Sequence, residues 1–149
     1  MKKRHKNIPA SYLVLFKEDK VLLLKRFNTG YEDNKYSFIA GHVDAGETFT
    51  QAIIREAFEE AGIKLLEKDL KILHVMHRKS IDSERVDIFF TANKWTGDLK
   101  NKEPHKCSEL KWFEMNKLPE NVIPYIRKVI QNIKSKKIYS EFGWQNIIE

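Results

Sequence analysis

The segment Gly41-His-Val-Asp-Ala-Gly46-Glu47-Thr48-Phe-Thr-Gln51-Ala-Ile-Ile-Arg55-Glu56-Ala57-Phe58-Glu59-Glu60-Ala61-Gly62-Ile63 decides the reading of this chain. Thr48-x-x-Gln51 is a capping box, in which each side chain satisfies a backbone amide left free at a helix start. A helix therefore begins near Phe49, and Gly62, directly after Ala61, is its stop signal. At about 100° per residue, Glu56 and Glu60 stand one above the other and Glu59 lies about 60–80° away. Three carboxylates thus share one arc of about 100°. Like charges at i,i+4 destabilise an isolated helix by about 0.2–0.5 kcal/mol per pair. A hard divalent cation with oxygen ligands reverses that penalty. Ile53, Ile54, Ala57, Phe58 and Ala61 fill the neighbouring sector, which is expected to pack against a sheet. Before the helix, Gly41 and Gly46 allow a tight loop whose backbone approaches bound groups closely. Arg55, at the flank of the arc, is placed to hold Glu47 and its neighbours in a bidentate ion pair.

Working outward, Ser11–Phe16 and Val21–Leu24 are apolar runs split by Lys17-Glu-Asp-Lys20, the pattern of a hairpin. Phe27–Asn34 reads as a loop, and Tyr36–Ile39 as a short strand running into Gly41. Leu70–His77 and Val86–Ala92 read as strands joined at Asp82-Ser83-Glu84, and Leu110–Phe113 as the last strand. Pro119–Ile133 is a second helix, with Val122, Ile126, Val129, Ile130 and Ile133 at helical spacing. Strands alternating with two helices predict an α/β fold, a mixed sheet covered by helices on both faces. The 149 residues fit one domain.

The quoted segment resembles the Nudix box: Gly, five residues, Glu, seven residues, Arg-Glu, an apolar residue, any residue, Glu-Glu, any residue, Gly, an apolar residue. Gly41, Glu47, Arg55, Glu56, Glu59, Glu60 and Gly62 match every fixed position, and Ala57 and Ile63 fill the apolar ones. At average composition a chance match is on the order of one in a billion per window. The resemblance implies a Nudix-like α/β/α sandwich over residues 1–149 and Mg2+ as cofactor, with Mn2+ as substitute. By the same resemblance the metal is held by Glu56, Glu59, Glu60 and the Gly41 carbonyl. It also implies that Glu47 and Arg55 support the loop–helix geometry, with Glu56 as base and Glu60 as central ligand. The implied reaction is attack of water on a phosphorus of a nucleoside diphosphate linked to another group.

Outside the box, Arg26 is similar in position to a phosphate-contacting arginine of the MutT-type branch, and Glu103 to an accessory metal-binding glutamate. Glu103 is expected on a long mobile loop between Thr96 and Ser108, with Asp98 as its competitor. Phe38-Ile39-Ala40-Gly41 stands where that branch has Phe-Pro-Gly-Gly, a departure that bears on substrate identity rather than catalysis. Signatures of the ADP-ribose, diadenosine-polyphosphate, NADH and coenzyme A branches are absent. By exclusion, a small nucleotide, the (deoxy)nucleoside triphosphate, is the expected substrate, released as monophosphate and pyrophosphate. The rivals are an RNA 5′ end and a non-catalytic nucleotide-sensing module.

The remaining signals exclude more than they assign. His77-Arg78-Lys79 reads as a solvated basic turn, and Trp95 and Trp112 as packing residues. Ser80, His74 and Cys107 lack the spacing of a nucleophile and its base. The single Cys107 forms no internal disulfide, and the apolar run Leu13–Phe16 is too short for a secretory core or a membrane span. The expected place is the cytoplasm, as a monomer or homodimer. A net charge of +6 and a pI near 9.3 favour anionic partners. Much of the excess lies in Lys2–Lys6 and Lys134–Lys137, so residues 1–7 and roughly 135–149 are expected as flexible, solvated ends.

Overall fold

The computed structural model describes residues 2–145. A mixed sheet lies between two helices, as the order of elements predicts, and a second, smaller sheet accompanies it. The larger sheet is mixed and contains β1 (Ile8–Leu13), β5 (Ile39–His42), β6 (Leu70–Lys79), β7 (Glu84–Ala92) and β9 (Tyr139–Phe142) in the order β5-β1-β7-β6-β9. β1 runs parallel to β7, and β6 parallel to β9. The smaller sheet is antiparallel. In it β2 (Phe16–Lys17) and β4 (Tyr36–Ser37) pair with β3 (Lys20–Arg26), which also pairs with β8 (Cys107–Glu114).

The expected hairpin of Ser11–Phe16 with Val21–Leu24 does not form as a single unit. Ser11–Leu13 belongs to β1 in the large sheet, and only Phe16–Lys17 turns back on Lys20–Val21. The reason is burial on both faces: Tyr12 and Val14 pack into the core on one side, Leu13 and Leu15 into the core on the other. A strand buried on both faces belongs in the interior of a sheet.

Helix α1 (Phe49–Ala61) buries Ala52, Ile53, Ala57 and Ala61 over Leu13, Ile39 and Leu24. Phe58, assigned by helical spacing to the packed face, is instead 52% exposed. On the opposite side, helix α2 (Pro124–Lys134) buries Ile126, Val129 and Ile130 against Tyr12, Met76 and Phe89. Its start moves from the expected Pro119 to Pro124, which occupies the first turn where a missing N–H costs nothing. Ile123 before it is extended at φ −56° and ψ 133°, and its N–H donates to the Tyr36 carbonyl instead. The C-terminal basic end is not a free tail where it is described, because Tyr139–Phe142 pair with Val75–Arg78. The second core therefore sits between α2 and the sheets, and the acidic edge of α1 is left facing a cleft beside β5.

Candidate active site

The start of α1 forms as its sequence dictates. Thr48 accepts from the Gln51 amide and the Gln51 side chain accepts from the Thr48 amide, the reciprocal capping box. Gly62 ends the helix in the left-handed region at φ 72°. Gly41 is needed for a different reason: a Cβ there would overlap the Glu56 carboxylate. The loop backbone and a helix side chain are thereby pressed together.

Arg55 organises the carboxylates. Its Nε and Nη2 donate to Glu47 at 2.7 and 2.9 Å, while Nη1 donates to Glu56 at 2.7 Å. Nη2 also reaches the His42 carbonyl at 3.2 Å, tying the helix to the end of β5. These bonds from Arg55, together with the Asp44 amide, lower the Glu47 pKa to about 2. Glu56 shifts the other way: burial raises its pKa, Glu59 and Glu103 add to the rise, and Arg55 opposes it. Glu60 accepts from the Ala40 amide at 2.9 Å. Burial, then Glu56 and Glu103, push it well above the ordinary carboxylate value. The residue that replaces a glycine at the loop entrance thus supplies a backbone donor to this carboxylate.

Glu56, Glu59, Glu60 and Glu103 line one cleft of about 460 Å³, together with Arg26 and Lys106. It is open rather than a closed cage: among the described residues no three His, Cys, Asp or Glu side chains gather tightly enough to enclose an ion. Glu103 reaches the cleft because residues 96–106 pack on the end of α1. The Lys100 and Lys102 amides donate to the Ala61 and Glu60 carbonyls, which the helix itself leaves free. Lys64 and Thr96 exchange both backbone bonds, and Gly97, at φ 92°, lies against the Gly62 carbonyl. The Glu103 amide donates to Asn101, and its carbonyl accepts from Lys106 and Cys107. The expected mobile loop is therefore tied down, since helix-end carbonyls need partners. Asp98, the competing carboxylate, is exposed and is not among the residues lining the cleft.

A second cavity of about 270 Å³ adjoins the first, and Arg26 and Ala40 line both. Arg26 is fixed by bonds from its Nε to the Tyr31 carbonyl at 2.7 Å and from Nη2 to Thr29 at 3.1 Å. Arg78, Arg85, Tyr12, Tyr31 and Tyr125 also wall it, as do Gly41 and His42 at the end of β5. The sequence reading of Arg78 as part of a solvated turn is wrong. It is buried, donates from Nε to Asp87 at 2.7 Å, and stacks 3.7 Å from the centre of the Tyr125 ring. Asp87 is fully buried, and its Oδ1 has no hydrogen-bond partner. The missed signal was an acid inside the apolar strand Val86–Ala92, which demands a cation on a neighbouring strand. Trp95 and Trp112 pack against the core beneath α1, as expected. Cys107 lines the acidic cleft as a buried thiol whose pKa burial raises.

The family model of the NUDIX domain matches residues 6–133. The chain belongs to the Nudix hydrolase family. This Nudix chain is 28% identical over 116 residues to the NAD-capped RNA hydrolase NudC of Shigella dysenteriae, covering 78% of itself and 42% of that protein. It is 29% identical over 107 residues to the ADP-ribose pyrophosphatase of Methanocaldococcus jannaschii, covering 72% of itself and 62% of that protein. It thus spans less than two thirds of the length of these relatives. A MutT NUDIX hydrolase from Burkholderia pseudomallei superposes with a TM-score of 0.77 at 23% identity, over 85% of this chain and 98% of that one. That likeness establishes the α/β/α Nudix fold. No helix among the described residues is long and apolar enough to cross a membrane.

Proposed function

We propose that this Nudix chain hydrolyses a phosphoanhydride bond in a nucleoside diphosphate linked to another group, with a nucleoside triphosphate as substrate. The observation that carries the reading is the pair of adjoining cavities, one acidic and one arginine-walled, joined at Arg26 and Ala40. A nucleoside fits the second cavity, where Tyr31 and Tyr125 offer ring surface, and Arg26 meets the phosphates at the junction. Support for a hard divalent cation comes from the donor set. Glu56 and Glu60 are oxygen donors whose charged forms are disfavoured as the site stands, and Gly41 makes room for a carboxylate beside a backbone carbonyl. Glu56, Glu59, Glu60 and the Gly41 carbonyl would hold Mg2+ or Mn2+, with Glu103 added from the loop. When bound, the ion neutralises phosphate oxygens and lowers the pKa of water.

The residues then divide the work. A water oxygen forms the new P–O bond while the bridging P–O bond breaks, its electron pair leaving on pyrophosphate. Glu56 takes the proton of that water, and Arg55 holds Glu56 in place against Gly41. Glu47 keeps Arg55 oriented as a bidentate partner. A second reading, hydrolysis at an RNA 5′ end, is favoured by the similarity to proteins named NAD-capped RNA hydrolase.

The deciding experiment is a hydrolysis panel with Mg2+ and, separately, Mn2+ over nucleoside triphosphates, ADP-ribose, NADH and NAD-capped RNA, with products identified by mass. Monophosphate plus pyrophosphate from a triphosphate is the expected result. Turnover confined to capped RNA or ADP-ribose would replace the triphosphate reading. Nucleotide binding without turnover of any compound would make the chain a sensing module.

A further inference from the structure

We propose that the chain carries a second binding surface, a track for single-stranded RNA that leaves the arginine-walled cavity and crosses the end of the large sheet to Trp144. The proposal rests on the reading that this cavity holds a nucleoside, here the first one of the strand. The register places the parts together. Ile8 lies beside Arg85, and Arg78 lies beside both Arg85 and Phe142. The N-terminal arm, the β6–β7 turn and residues 143–145 therefore all emerge at one end of the sheet.

Trp144 is built as a platform there. Gly143, at φ 84°, lies so close to the Lys79 carbonyl that a Cβ would overlap it. This contact lays Trp144 on β6, where its Nε1 donates to the His77 carbonyl at 2.9 Å. Its ring lies 4.7 Å from that of His77, and the Lys79 ammonium lies 5.3 Å from its centre. The tryptophan is nevertheless 36% exposed. A fixed aromatic face beside a lysine ammonium stacks bases without regard to their sequence.

The phosphate path is supplied by the arm. Lys2, Lys3, Arg4, His5 and Lys6 are all exposed. The arm is anchored by His5 to Glu84 at 2.8 Å and by Asn7 to His77 at 3.2 Å. Between the arm and the β6–β7 turn runs a groove of about 380 Å³ whose lining includes Lys6, Lys79 and Ser83 together with Asp82 and Glu84. Ser83 of the groove accepts from the Nε of Arg85, which walls the nucleoside cavity, at 3.2 Å, so one hydrogen bond links the two. The carboxylates at this end are engaged: Glu84 by His5, Asp82 by the Ser80 and Ser83 hydroxyls, and Glu141 by the Tyr139 hydroxyl. A second copy is the poorer occupant, because a two-fold contact sets this cationic patch against itself.

The test uses a 3′-fluorescein single-stranded RNA of roughly twelve nucleotides with a 5′-triphosphate. Its anisotropy is followed between about 50 and 200 mM salt. Combining Lys3→Ala, Arg4→Ala and Lys6→Ala should lower the slope of log affinity against log salt by about 2. Trp144→Ala should weaken binding about tenfold. Both variants should hydrolyse free nucleoside triphosphate at the wild-type kcat/KM. Should no free nucleotide be turned over even by the wild type, the hydrolysis reading fails alone and the anisotropy still decides the track. Unchanged RNA affinity in both variants overturns the track. So does a Trp144→Ala variant that turns a dimer into a monomer by sedimentation while RNA affinity holds, since the face would then belong to a second copy.

Discussion

On α1, Glu60 is desolvated beside Glu56 and Glu103, so its neighbours add to the cost of its charge. On β7, Asp87 is buried too, but the Arg78 guanidinium lies 2.7 Å away and opposes the rise in its pKa. The first cluster has more acid than its cations cover, although Arg55 holds Glu47 and Glu56. The second is an ion pair roofed by Tyr125 and by Tyr12, whose hydroxyl lies 3.4 Å from Arg78 Nη2. Charge left unbalanced in a cleft is poised for a ligand of opposite sign, whereas a balanced pair in a wall fixes the shape of that wall. The two regions meet at Arg26, where an acidic and a basic cavity open on each other.

The sharpest way to break this contrast is Glu60→Gln. Turnover with Mg2+ should fall by about a thousandfold, the scale of a lost electrostatic contribution. In chelator its melting temperature should not drop, because the variant removes a charge that burial disfavours while keeping an acceptor for the Ala40 amide. Full activity in this variant would end the metal-site reading. Arg78→Leu tests the other side. Stranding Asp87 should cost about 3–5 kcal/mol in urea unfolding. The double variant with Asp87→Leu should recover much of that loss, and a single-variant cost below about 1 kcal/mol, the value of a surface pair, would refute the buried pairing.

A smaller effect separates the two loop carboxylates. Glu103→Gln should reduce turnover about tenfold at unchanged stability, with partial rescue at higher metal concentration. Asp98→Asn should behave as wild type, and the reverse pattern would show that the wrong carboxylate lines the site. The smallest effect concerns His74, buried between the Lys137 carbonyl and the Ser140 hydroxyl at 2.7 Å from each. Burial lowers its pKa below the ordinary 6.5. The unfolded chain therefore takes up this proton first as pH falls, and stability drops from about pH 6.5 downward until the folded pKa is passed. His74→Gln should flatten that slope in denaturant titrations, while His42, whose pKa burial also lowers, leaves a residual one. An unaltered slope would place the pH dependence elsewhere.

Local interactions made the acidic half legible. Glu47, Arg55, Glu56, Glu59 and Glu60 lie within one loop and one helix, so helical geometry alone brings them onto one arc. The capping box and the Gly62 stop follow the same local rules, and both formed as read. Phe58 escaped that reading because helical periodicity gives a direction but not the width of the surface waiting there.

What lay outside the local rules depended on which strands became neighbours. The chain leaves β1 for a different sheet at Val14, because apolar side chains on both faces of β1 need cover that a hairpin cannot give. Arg78 and Asp87 meet only because β6 and β7 pair with Met76 opposite Asp87, and the roof over them comes from α2. Trp144 reaches His77 because β9 adds to the edge of β6. The sequence by itself determined the acidic helix, its cap and its family pattern, since these rest on contacts a few residues apart. Only the tertiary structure decided the basic cavity, the position of Glu103 and the surface around Trp144, since each needs distant segments brought together by burial of the two cores.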